Sequence, residues 1–163
     1  MYSTKYFGEI DLDNVEQYYE GVIKLSERPI EVSINIGAAK SLTENSVKAI
    51  DSYVDNIVTN EQNIRQTIQS NFKDQGEAKN YINFLLTDHD EDDLVSLTED
   101  NTEDLGLEEK LLSTLYLLRI SFYPEEADKV FAVYDYTIDE DLTNDLLVVI
   151  VSKDGKVKIT IES

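Results

Sequence analysis

Between Asp88 and Glu109 the chain carries eleven carboxylates and no Lys or Arg. Closely spaced carboxylates suit a hard cation, which takes oxygen ligands from alternating residues of a tight loop. The run Asp88-His89-Asp90-Glu91-Asp92-Asp93-Leu94-Val95-Ser96-Leu97-Thr98-Glu99 places acids at positions 1, 3, 5 and 12 of such a loop, with a serine at position 9. The set Asp88, Asp90, Asp92, Ser96 and Glu99 thus has calcium-loop spacing. Position 6 opposes it, because the sharp turn there takes a glycine with positive φ and this chain has Asp93. So acidic a run also meets the alternating pattern by chance. The reading adopted is a solvated acidic segment with no metal or cofactor assigned.

Other chemistries lack their parts. The chain has no Cys, which removes thiol catalysis, disulfides and thiolate zinc sites. Its one imidazole, His89, lies between Asp88 and Asp90 with no serine placed by a recognisable turn, and reads as a solvated surface residue. A single His does not supply a zinc set. The six glycines are too dispersed to cradle a phosphate, and no G-x-S-x-G occurs. Among 34 acids a carboxylate pair carries no weight as a signal of hydrolysis. A hydrolase or small-molecule-binding enzyme would instead need buried acids from separate strands, such as Asp135 and Glu162, in a cleft between sheet and helices. Arg119, set among apolar residues, reads as an anion-binding guanidinium or as the partner of a carboxylate. Tyr2, Tyr6, Tyr18 and Tyr19 gather near the start, in keeping with an interface or with half-buried strands.

The formal net charge is −20. A surface this acidic repels nucleic-acid phosphates and anionic headgroups, so neither nucleic acid nor membrane is expected as a partner. No stretch approaches the ~20 apolar residues of a membrane span. The first residues lack the basic-then-apolar order of a signal peptide, and the expected compartment is the cytoplasm. By segment the net charge is −3 over residues 1–50, −2 over 51–87, −11 over 88–109 and −4 over 110–163. More than half of the excess sits in 22 residues, leaving a nearly ordinary remainder. The charge is local.

Hydrophobic spacing orders the rest. Ile30, Val32, Ile34 and Ile36 alternate with polar residues, the period of a strand with one buried face. Gly21–Ser26 reads as its partner through a turn at Glu27-Arg28-Pro29, and Phe7, Ile10 and Leu12 suggest a short first strand. Ser41 and Glu44 have capping-box spacing. Val47, Ile50, Val54, Ile57 and Val58 then share a helix face, followed by Ile64, Ile68 and Phe72, and by Ala78, Ile82, Leu85 and Leu86. Short helices with a thin apolar stripe are expected through the acidic run, up to Leu112. Leu115–Tyr123, Val130–Tyr136 and Leu146–Ser152 read as strands, the last as a central strand covered on both faces. Asp154-Gly155 turns the chain into a final strand of Val157, Ile159 and Ile161. Strands, then helices, then strands indicate one α+β domain over residues 1–163. Strands are expected over about 5–36 and 115–162, with helices over about 42–112 packed on a largely antiparallel sheet.

The C-terminal third carries a resemblance. Leu117-Leu118-Arg119-Ile120-Ser121-Phe122-Tyr123-Pro124 is followed by Asp135-Tyr136, Ile138-Asp139, Leu142-Thr143 and Leu146-Leu147-Val148-Val149, then by Gly155 and a closing Glu162-Ser163. This resembles a family of small bacterial proteins catalogued only as a domain of unknown function, with Tyr6-Phe7-Gly8 and Ile10 as a looser match. The resemblance implies an α+β fold and no established activity or cofactor. Acidic families of similar layout act as immunity proteins that bind and block toxins, and the analogy extends here. The resulting expectation is a non-enzymatic protein that engages a basic partner through Asp88, Asp90, Glu91, Asp92, Asp93, Glu99, Asp100, Glu103 and Asp104. The carboxylate-cleft enzyme stands as the alternative.

Overall fold

The computed structural model describes residues 1–163. Two short strands, β1 (Tyr2–Ser3) and β2 (Glu9–Ile10), precede the long pair β3 (Tyr18–Leu25) and β4 (Arg28–Asn35). Five helices follow: α1 (Glu44–Asp55), α2 (Ile57–Lys73), α3 (Glu77–Asp88), α4 (Glu91–Leu97) and α5 (Leu107–Thr114). The remaining strands are β5 (Tyr116–Phe122), β6 (Ala132–Thr137), β7 (Leu146–Val151) and β8 (Val157–Glu162). Strands β3 to β8 form one six-stranded sheet in sequence order, and β1 and β2 form a separate hairpin. The fold is α+β, with N- and C-terminal strands in the sheet and the helices between them.

One pairing organises these parts. β4 and β5 are parallel, whereas the other sheet neighbours are antiparallel. Parallel neighbours need a crossover instead of a hairpin, and all five helices lie in that crossover. Ile34, Ile120, Phe122, Tyr134, Tyr136, Leu147 and Val149 turn one sheet face toward Val47, Ile50, Val54, Ile64, Ile82 and Leu85 of the helices, forming a single core. The opposite face is open. Register there aligns Val22, Glu31, Arg119, Asp135, Val148 and Thr160 across the six strands, and Glu20, Ser33, Ser121, Val133, Ile150 and Lys158 in the next row.

Several local readings change. The β3–β4 turn is Ser26-Glu27, with φ of 50° and 67°, because a two-residue hairpin that follows strand twist needs positive φ at both positions. Pro29 therefore sits inside β4, opposite Lys24 and ahead of the first β5 contact at Glu31, where its missing N–H breaks no ladder. Thr43, not Ser41, caps α1, accepting from the Ser46 N–H at 3.1 Å. The chain breaks helix at Asn56, so Ile57 opens α2 and is buried while Val58 is 59% exposed. β7 lies next to the edge strand β8 and is not central. Its aliphatic run has another cause. Leu147, Val149 and Val151 face the helices, while Val148 is buried outside that core, flanked across the strands by Asp135 and Thr160.

The N-terminal hairpin completes the helical layer beyond α1. Ile10 is fully buried, the Lys5 N–H donates to Asp51 at 3.0 Å, and the Tyr6 hydroxyl donates to Asp55. Close approach is allowed by Gly21, where a Cβ would stand 2.1 Å from the Tyr6 carbonyl oxygen. Gly21→Ala is thus expected to push the hairpin off β3 and cost roughly 1–3 kcal/mol, the usual penalty for overpacking. Urea unfolding should show the loss, with faster amide exchange confined to residues 2–10. Unchanged stability and exchange would contradict the packing described.

Candidate functional site

The acidic run forms a folded helical corner. α3 ends at Asp88, His89 caps it by donating its N–H to the Leu85 carbonyl at 3.1 Å, and Asp90 opens α4. Leu94 of α4 and Leu111 of α5 are fully buried, and Leu97, Leu105 and Leu107 are half-buried. The buried Thr98 hydroxyl donates to the Val95 carbonyl at 2.8 Å, which closes α4. In the turn between α4 and α5, Asn101 Oδ1 accepts the Glu103 N–H at 3.0 Å. This thin apolar anchor is helped by five of the acids, which are placed where helices favour them. Glu91, Asp92 and Asp93 occupy the first turn of α4, and Glu108 and Glu109 that of α5, against the positive ends of the helix dipoles.

The nine expected contact residues, Asp88, Asp90, Glu91, Asp92, Asp93, Glu99, Asp100, Glu103 and Asp104, are all exposed. Of the nine, Glu91 alone lines the groove between these helices, and the others lie along the exposed end of α3, the outside of α4 and the turn that follows it. Of the eleven acids in the run, Glu108 alone has an ion-pair partner, Lys79 of α3. Asp88 at the last turn of α3, and Glu99 and Asp100 just beyond α4, lie at negative helix ends with no basic residue there. The calcium-loop spacing does not become a loop, because residues 91–97 are helical and Asp92 and Ser96 ride on that helix. No three His, Asp or Glu side chains converge as a metal set.

Between the helices runs a groove of 410 Å³ floored by Leu86, Leu94 and Leu107 and rimmed by Glu91, Glu108 and Glu109. Phe84 on α3 and Val95 on α4 are exposed at 50% and 45%. The sequence groups Leu86 with the apolar face of α3, and packing leaves it half-buried there. The signal for an apolar groove was present in those leucines, but only packing shows which of them reach solvent.

The carboxylates of the alternative reading fall elsewhere. Asp135 and Glu162 lie on the open sheet face, on the other side from the helices. Arg119 Nε meets Asp135 Oδ2 at 3.0 Å, which answers the question of its partner. Burial pushes the Asp135 carboxyl above its ordinary pKa; Arg119 pulls it down, and Glu162 adds to the rise. Between sheet and helices the buried acid is Glu61 of α2, a residue the sequence does not single out. It accepts from Arg65 Nε at 2.6 Å and from the Tyr136 hydroxyl at 3.1 Å, while Arg65 also donates to the Leu115 carbonyl at 2.7 Å. Its partners are all internal, as for a structural polar link between α2 and the sheet. Beside it the Tyr53 and Tyr134 hydroxyls bond at 2.6 Å.

No family model, curated protein or solved structure is matched by this chain. The family resemblance therefore rests on its quoted residues alone. No helix is long and apolar enough to cross a membrane.

Asp135 gives a pH test. Its folded-state pKa is raised, so its protonated form contributes stability below the ordinary carboxylate range, and that contribution is lost as pH rises through the folded value. Asn cannot ionise. The urea midpoint of Asp135→Asn relative to the wild type is expected to rise between about pH 4 and about pH 7. A constant or falling difference would contradict the burial assigned to this carboxyl.

Proposed function

We propose that the chain is a non-enzymatic binding protein whose acidic corner engages a basic segment of a protein partner, as an immunity-type inhibitor does. What carries this reading is a leucine-floored groove rimmed by Glu91, Glu108 and Glu109, of which Glu108 alone is ion-paired, within a run of exposed carboxylates that lack counter-ions. Its chemistry fits an amphipathic segment with apolar residues on one side and Lys or Arg on the other. The apolar contacts supply most of the affinity. The carboxylates speed encounter and reject acidic competitors.

Unpaired like charges within a screening length of ~8 Å repel one another, so the free protein bears a strain that a cationic partner relieves. The acids at negative helix ends bear most of it. Neutralising Glu99 and Asp100 to Gln and Asn should therefore stabilise the free protein, by a few tenths to about 1 kcal/mol, while weakening capture. Neutralising Asp90, Asp92, Asp93, Asp100 and Asp104 to Asn should slow association at least about tenfold at low salt. The immobilised chain in native lysate is expected to retain a basic protein that the five-site variant does not retain. Background alone, or a partner indifferent to the five substitutions, would overturn the proposal.

A further inference from the structure

The free edge of the sheet at β3 supports a second inference, independent of the acidic corner. β3 is eight residues long and pairs only with β4. The Ile36 N–H donates to the Gln17 carbonyl at 2.9 Å, directly opposite in register, which fixes the alternation of the ladder. Tyr19, Gly21 and Ile23 therefore turn their main-chain groups toward β4, and Tyr18, Glu20, Val22 and Lys24 turn theirs outward. None of these four outward residues makes a main-chain hydrogen bond to any other segment. Their side chains are exposed on the open sheet face, with Val22 at 66%. An unpaired strand of this length is a template for another strand. β3 carries no Pro and no charge turned inward, and its two edge charges, Glu20 and Lys24, guard it only against strands that do not match them.

The side-chain order chooses the partner. In an antiparallel pair of two β3 strands centred on Val22, Val22 faces Val22, Glu20 faces Lys24, and Lys24 faces Glu20. All three facing pairs join residues whose main-chain groups point outward, so each exchanges both of its hydrogen bonds. Sliding by two residues sets Val22 against a charge. Sliding by four sets Glu20 against Glu20 or Lys24 against Lys24, which is destabilising across strands. The strand is complementary to itself in one register.

We propose that two copies of this chain associate through β3, antiparallel about a two-fold axis at Val22, to make one continuous twelve-stranded sheet. The large net charge does not oppose this arrangement locally. α3 packs against β8, the opposite edge, and α5 packs against α3. The acidic corners of the two copies thus lie at the far ends of the joined sheet, well beyond a screening length.

Charge exchange at the paired positions tests the register. Sedimentation equilibrium of the full chain at physiological salt is expected to give the mass of two chains. Glu20→Lys and Lys24→Glu alone each set like charges against each other twice by symmetry, and each should weaken dimerisation at least about tenfold. The double variant Glu20→Lys/Lys24→Glu restores opposite charges and should recover the dimer. Val22→Pro removes an outward N–H at an edge, where Pro is tolerated by the fold, and should be monomeric with an unchanged circular dichroism spectrum. A wild-type chain that stays monomeric at high concentration would overturn the proposal. So would a dimer indifferent to the single charge reversals, or one that the double variant fails to restore.

Discussion

The parallel pairing of β4 with β5 is the constraint from which the rest of the molecule follows. Two parallel neighbours oblige the chain to leave the sheet and return on the same side. Here the return path holds every α-helix, residues 44–114. The helices accordingly cover one face, the other face stays open, and β3 is left as an outer edge. Glu31–Arg119 through Ile34–Phe122 is the length of ladder that fixes this arrangement. Ile120 and Phe122, fully buried, lock it from the helix side.

The acidic corner is what that crossover produces at its far end. α4 and α5 are short and contribute few core residues, so they need help to stay folded. Dipole-compatible placement of Glu91, Asp92, Asp93, Glu108 and Glu109 supplies part of it, and Leu94 and Leu111 supply the anchor. Asp88, Glu99 and Asp100, at negative helix ends, gain nothing from the dipoles. An electrostatically frustrated surface held in fixed geometry is suited to recognition, because the partner meets charges already arranged and incurs less ordering cost. The carboxylates of the sheet play other parts. Asp135 is held by Arg119 on the open face, and Glu61 ties α2 to Tyr136 within the core.

Most of the architecture was legible because strand and helix periods are written in single side chains. The alternation from Ile30 to Ile36 and the i, i+4 spacing of Ile64 and Ile68 each survive into β4 and α2. What was not legible depended on partners distant in sequence. The hydrophobic run of β7 carries no mark of which neighbours flank it, so its place beside the edge was misread. Turn position at Ser26-Glu27 depends on backbone twist, which Pro29 obscured as the more obvious signal. At the site, the clustering of exposed acids could be read from composition. The leucine floor could not, since Leu86 and Leu107 are indistinguishable from core residues until α3, α4 and α5 are packed.

The central claim is that a groove among carboxylates, and not acidity at large, recognises cationic protein. Backbone amide shifts during titration with an amphipathic peptide of alternating Lys and Leu faces test it most directly. Shifts are expected at Leu86, along Glu91–Leu97 and at Gly106–Glu109, with affinity falling as salt shortens the ~8 Å screening length. Shifts scattered over all acidic surfaces, or centred on the open sheet face around Asp135, would contradict it.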